Sequence, residues 1–216
     1  MERISQLYQQ LTGKTPQRIV PLAGAGSNRQ YFRVFGGEEL STLAPCTSLL
    51  TSLIAVIGTN QEENEAFIDL AKRFKDADLP VPALLAVSDD RMVYLQEDCG
   101  DVSLYAFMTQ HRQADGTFDD EAFAALKATI RELPRFQLLP LTQHSTLNTQ
   151  TFFSHCFPQQ SMDRTSIMFD LNYFKYCFLK LKGVEFNEFK LQQDFERLAP
   201  GGGAGLRGAR QRTLCR

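Results

Sequence analysis

A chain of 216 residues, 43 % hydrophobic and 22 % charged, is long enough for one large domain or two small lobes with a buried core. Its formal net charge of -2 and pI near 5.9 exclude a surface built to neutralise many phosphates, so a small-molecule site is expected and a nucleic-acid partner is not. No basic start precedes an apolar run, and the longest apolar runs fall well short of the ~20 residues of a membrane span, so a cytoplasmic protein without a membrane partner is expected.

Ile4, Leu7, Tyr8 and Leu11 recur at helical spacing, and Gly13 stands where such a helix stops. "RIVPL" and "QYFRVFG" then read as two short strands, separated by a turn in which Gly24 and Gly26 allow positive φ angles or close backbone approach. Residues 38–51 show no period and read as a loop or irregular insertion, followed by a third strand, "SLIAVIG". In "NQEENEAFIDLAKRFKDADLPVP", Phe67, Leu70, Ala71 and Phe74 share one helical face, with acids early and bases late as the helix dipole prefers. Pro80 and Pro82 are expected to end this helix, and "ALLAVSDDRMVYLQED" reads as a hairpin around Asp89 and Asp90.

Composition shifts near Gly100. "LYAFMTQH" and "DDEAFAALKATIRELPRFQ" read as helices, with Pro134 expected to break or kink the second. "MFDLNYFKYCFLKLKG" and "NEFKLQQDFERLA" give two more, the first so aromatic that burial is expected. The expected division is an N-terminal lobe over residues 1–99, a partial helical lobe over 100–198, and a non-native-looking or disordered tail over 199–216 that includes "PGGGAGLRGARQRTLCR".

Several chemistries find no support. "GKT" at 13–15 imitates the end of a P-loop, but the glycine required five places earlier is Tyr8, inside a helix. His111, His144 and His155 show no metal-ligand spacing, no serine sits in GxSxG, and Cys46, Cys99, Cys156, Cys177 and Cys215 form no CxxC pair. The cysteines read as buried free thiols in a reducing compartment.

What stands out is an ordered set: strand, glycine loop, strand, third strand, acid-rich helix, hairpin ending in "YLQEDCGD", then helices. In "PLAGAGSNRQYFRV", "ENEAFIDLAKRFKDADLPVPALLAV", "RMVYLQEDCGDVSL" and "SIMFDLNYFKYCFLKLKG", taken in this order, the chain resembles the phosphotransferase family of aminoglycoside and choline kinase-like enzymes, in particular its amino-sugar kinase-like branch. The resemblance covers residues 1 to about 198. It implies an α+β, protein-kinase-like fold: a small lobe with a five-stranded antiparallel sheet and one packed helix, followed by an incomplete helical lobe.

The resemblance also implies ATP with Mg2+ as cofactors and phosphorylation of a sugar or amino-sugar hydroxyl. Gly24, Ala25, Gly26, Ser27 and Asn28 would cover the phosphates with backbone N–H groups. Glu65, or in second place Glu62, would be the helix carboxylate that orients a basic phosphate partner. Glu97, Asp98 and Cys99 would offer hinge backbone groups to adenine. The third strand lacks the family's lysine, and Arg29 or Arg33 would substitute for it.

One part of the pattern is missing. The family's catalytic Asp and the Asn five residues later do not occur at that spacing anywhere in the chain, and "DFE" at 194–196 sits in a helical pattern. The expectation is therefore an N-terminal fragment of a kinase without catalytic residues or metal ligands, its alternative a non-catalytic nucleotide-binding or scaffolding module. An incomplete helical lobe would expose apolar surface around Phe169 to Phe178 and favour self-association.

Overall fold

The computed structural model describes residues 1–23, 28–37, 40, 51–142 and 153–199, and these fall in two compact units, Met1–Gln143 and His144–Arg216. The first unit opens with helix α1 (Glu2–Thr12), which buries Ile4, Leu7 and Tyr8 and stops where Gly13 takes a left-handed φ of 74° and its N–H returns to Gln9 O. Strands β1 (Arg18–Pro21), β2 (Gln30–Phe35) and β3 (Ser52–Ile57) follow, then helix α2 (Gln61–Asp76) and strands β4 (Leu84–Val87) and β5 (Val93–Glu97). The five strands form one sheet in the order β1-β2-β3-β5-β4. Every neighbouring pair is antiparallel.

Strand β3 is almost wholly apolar because both sheet faces are covered at the centre. Leu53 and Ala55 join Val34, Val93 and Leu95 against the α1 residues Ile4, Leu7 and Tyr8. Ile54 and Val56 point the other way, with Tyr94, Tyr31, Leu84 and Phe67 of α2. An irregularity in β4 between Leu84 and Ala86 lets Leu84 and Val87 share the α2 face while Leu85 and Ala86 turn toward α1. Leu40, fully buried, belongs to the α1-side core; the rest of the irregular segment at 38–51 lies outside the described residues apart from residue 51.

Helix α2 starts at Asn60, whose side chain accepts from the Glu63 N–H at 2.9 Å. It ends before the prolines rather than at them: Asp78 takes a left-handed φ of 55°, and the Leu79 N–H returns to Phe74 O at 3.0 Å. Helices α3 (Leu104–Gln110) and α4 (Asp120–Thr142) complete the unit. The unit extends past Gly100 because α4 returns to α2, with Phe136 edge-on to Phe74 at 5.1 Å and Arg135 donating to Asp78 O at 3.0 Å.

Of the two outcomes expected at Pro134, a break or a kink, the break does not occur: α4 runs through it. The lost donor would have served the Ile130 carbonyl, which sits on an exposed turn where water can take its place.

In the second unit, helix α5 (Arg164–Phe174) continues into a π-helical turn (Lys175–Leu179), and helix α6 (Glu188–Leu198) follows. Arg164 pairs with Glu196, and Glu188 pairs with both Lys175 and Lys180. The aromatic helix is not buried as its composition suggests. Phe169, Tyr173, Phe174, Tyr176 and Phe178 are all exposed, Phe169 to 64 %. Cys99 and Cys177 are exposed thiols and Cys156 is disulfide-bonded, so the expectation of buried free thiols fails for these three; Cys46 and Cys215 lie outside the described residues. Residues 200–216 of the tail lie outside the described residues. Among the described residues no helix is long and apolar enough to cross a membrane.

Candidate functional site

Alternation along β2 sends Phe32 and Val34 to the α1 face and Tyr31 and Arg33 to the other. Register carries Arg33 beside Val20 of β1 and Ile54 of β3, two strands away from the end of β5. From there its guanidinium reaches the segment that leaves the sheet. Arg33 Nε donates to Asp98 Oδ2 at 2.6 Å and Nη2 to Asp98 Oδ1 at 3.1 Å, a two-point fork, while Nη1 donates to Asp101 Oδ1 at 2.6 Å. Ser52 Oγ donates to Asp98 Oδ2 at 2.7 Å and the Gly100 N–H to Oδ1 at 2.9 Å.

Burial pushes the Asp98 carboxyl up, but the hydrogen bonds from Arg33, Ser52 and the Gly100 N–H outweigh it and hold the group below its ordinary value. The same bonds to Asp98 and Asp101 raise Arg33 further above neutrality. A carboxyl lowered on folding contributes stability that is full above about pH 4 and is lost as the pH falls through its folded value. Unfolding free energy followed by urea titration should therefore fall more steeply below about pH 4 for the wild type than for Asp98→Asn. Parallel acid limbs would remove Asp98 from the linkage.

The second cluster joins β2 to α2. Arg29 Nη2 lies 3.0 Å from Glu63 Oε1 and donates to Glu63 O at 3.3 Å, and its guanidinium stands 5.2 Å from the Phe67 ring centroid. Phe67 stacks on Tyr94 at 4.9 Å, and burial pushes the Tyr94 hydroxyl up, so Tyr94 remains neutral. Glu63 and Phe67 share a helical face because they are four residues apart.

Glu63 is the residue that sequence reasoning missed. Glu65, two positions on, points about 200° around the helix. Its carboxylate accepts from Gln61 of the same helix at 3.2 Å, and Glu62 is exposed. The signal was available: Phe67 is apolar, so an acid four residues earlier shares the sheet-facing side.

Gly24, Ala25, Gly26 and Ser27 lie outside the described residues, and Asn28 is exposed just before β2. At the other end of the sheet, the Glu97 N–H donates to Ala83 O at 2.9 Å and its carboxylate accepts from the Ala83 N–H at 3.1 Å, closing the mouth of the β4–β5 pair. The Cys99 N–H has no hydrogen-bond partner among the described residues. Desolvation and the charges of Glu97 and Asp98 push the Cys99 thiol up, which is the opposite of an activated nucleophile.

The structure thus gathers Arg33, Asp98 and the Cys99 backbone at one corner of the sheet and Arg29 at α2. Among the described residues no group of three His, Cys, Asp or Glu is placed to hold a metal ion. The chain matches no protein-family model and no curated protein sequence.

Proposed function

We propose that the first unit is the nucleotide-binding lobe of an ATP-dependent phosphotransferase acting on small molecules, a sugar or amino-sugar hydroxyl being the acceptor class. The observation that carries this reading is the Arg29–Glu63 pair, set between the entrance of β2 and the helix inserted between β3 and β4. In protein kinases a strand lysine bound to a helix glutamate holds the nucleotide phosphates. Here β3 carries only Ser52, Leu53, Ile54, Ala55, Val56 and Ile57, and an arginine from the neighbouring strand's entrance supplies the cation.

The chemistry fits the residue type. A guanidinium presents a planar fork that matches phosphate oxygens, and Glu63 with Phe67 keeps it oriented. The Cys99 N–H supplies a donor for the edge of a heteroaromatic base. The sequence contains no Asp-x4-Asn pair, the motif that provides a base and a metal ligand in this chemistry, so this chain is expected to bind nucleotide without turning it over. That same absence favours a second reading, a non-catalytic nucleotide-binding or scaffolding module, which transfer of the γ-phosphate would exclude.

Titration of the purified chain with a fluorescent ATP analogue should give saturable binding, and Arg29→Ala should weaken it about tenfold with its melting temperature retained. No saturable binding to the wild type, or equal affinity of the variant, overturns the proposal.

A further inference from the structure

The segment that leaves β5, Asp98 to Asp101, carries two carboxylates and no base of its own. Left to itself it would repel internally and stand away from the sheet. It is also where the chain must reverse: Gly100 takes a left-handed φ of 87°, and Ser103 caps α3 by accepting from the Ala106 N–H at 3.1 Å. Arg33 is the cation that reaches both acids. Its side chain is 16 % exposed and that of Asp98 only 7 %, so the fork is made in a partly desolvated corner, whereas Asp101 is 79 % exposed.

This arrangement makes Arg33 a poor phosphate ligand. Its Nε, Nη1 and Nη2 are all engaged by carboxylates, and one cation between two anions leaves a local charge that repels a further anion. Ser52 and the Gly100 N–H complete the satisfaction of Asp98, so the carboxylate is held from β2, from β3 and from its own turn.

We infer that Arg33 is a positioning residue that clamps segment 98–101 to the sheet through Asp98 and Asp101, and so presents the Cys99 N–H to the base of a nucleotide without touching its phosphates. The presentation half rests on the nucleotide-lobe reading above, whereas the clamp does not.

Two measurements separate these halves. In amide hydrogen exchange of the free chain, Arg33→Gln should speed exchange of the Gly100 amide, whose N–H is held by Asp98, by about tenfold or more while β3 keeps its protection. Arg33→Lys, which keeps the charge but loses the fork, should restore part of that protection, and Asp101→Asn should give a smaller change in the same direction. Unchanged exchange in Arg33→Gln, or loss of protection throughout the sheet in all three variants, overturns the clamp.

In the second measurement, adenosine and an ATP analogue are titrated separately. A clamp predicts that Arg33→Gln weakens both by the same factor, about tenfold. Loss of ATP affinity with adenosine binding unchanged would make Arg33 a phosphate ligand and overturn the inference. A wild-type chain that binds neither overturns the nucleotide reading and the presentation role with it, and the exchange measurement still decides the clamp.

Discussion

Leu95→Ala should lower the unfolding free energy of the first unit by about 2–5 kcal/mol. Leu95 is fully buried in β5 and faces the α1 side of the sheet with Leu53, Ala55, Val93, Ile4, Leu7 and Tyr8. Its strand is paired on both sides, Leu95 standing opposite Ala55 of β3 and Ala86 of β4. A strand held by ladder bonds on both edges cannot move in to fill the space left by the missing side chain, which places the cost toward the upper part of that range. Urea unfolding of the two proteins measures it, and a difference below about 1 kcal/mol would contradict this packing.

Gly36→Ala is expected to cost about 1–3 kcal/mol, and its cause can be isolated by a second substitution. A Cβ at position 36 would lie 1.9 Å from Tyr8 Oη and 2.8 Å from Cγ and Cδ1 of Leu40. Tyr8 and Leu40 are both fully buried, so neither can swing into solvent to relieve the contact. Leu40 is a branched chain with rotamers to explore, but the tyrosine is rigid along its length and its hydroxyl is the nearest atom. Adding Tyr8→Phe to Gly36→Ala should therefore recover part of the lost stability, although Tyr8→Phe alone should not stabilise. Additive losses in the double mutant would show that the clash is not with the hydroxyl.

Much of the fold was legible because local pattern and burial agree. Ile4, Leu7 and Tyr8 mark the buried face of α1, and all three are buried. The five strands lie within "RIVPL", "QYFRVFG", "SLIAVIG" and the two arms of "ALLAVSDDRMVYLQED", where β-branched and aromatic residues are bounded by glycine, proline or aspartate. The run in β3 lacks alternation because α1 and α2 cover opposite faces of the central strand. Pattern failed where the answer depends on what lies next to an element. Pro134 sits in α4 without ending it because the affected turn is exposed, and the aromatic residues of α5 and its π-helical turn are open because composition states a preference for burial, not the presence of a partner surface.

The site divides in the same way. The sequence alone determined that Arg29 and Arg33 stand at the start and in the middle of a strand run, that acids lead α2 and that a strand runs into "EDCGD". Only tertiary structure decided which arginine meets which acid. Helical phase gives Arg29 to Glu63 in place of Glu65, and antiparallel register across β2, β3 and β5 brings Arg33 to Asp98 and Asp101 over a separation of 65 and 68 residues. The physical reason is that a charged side chain takes its partner from whatever backbone geometry places within hydrogen-bond reach. That geometry is set by strand pairing and by the burial of apolar side chains, so the identities of the charged residues do not reveal it.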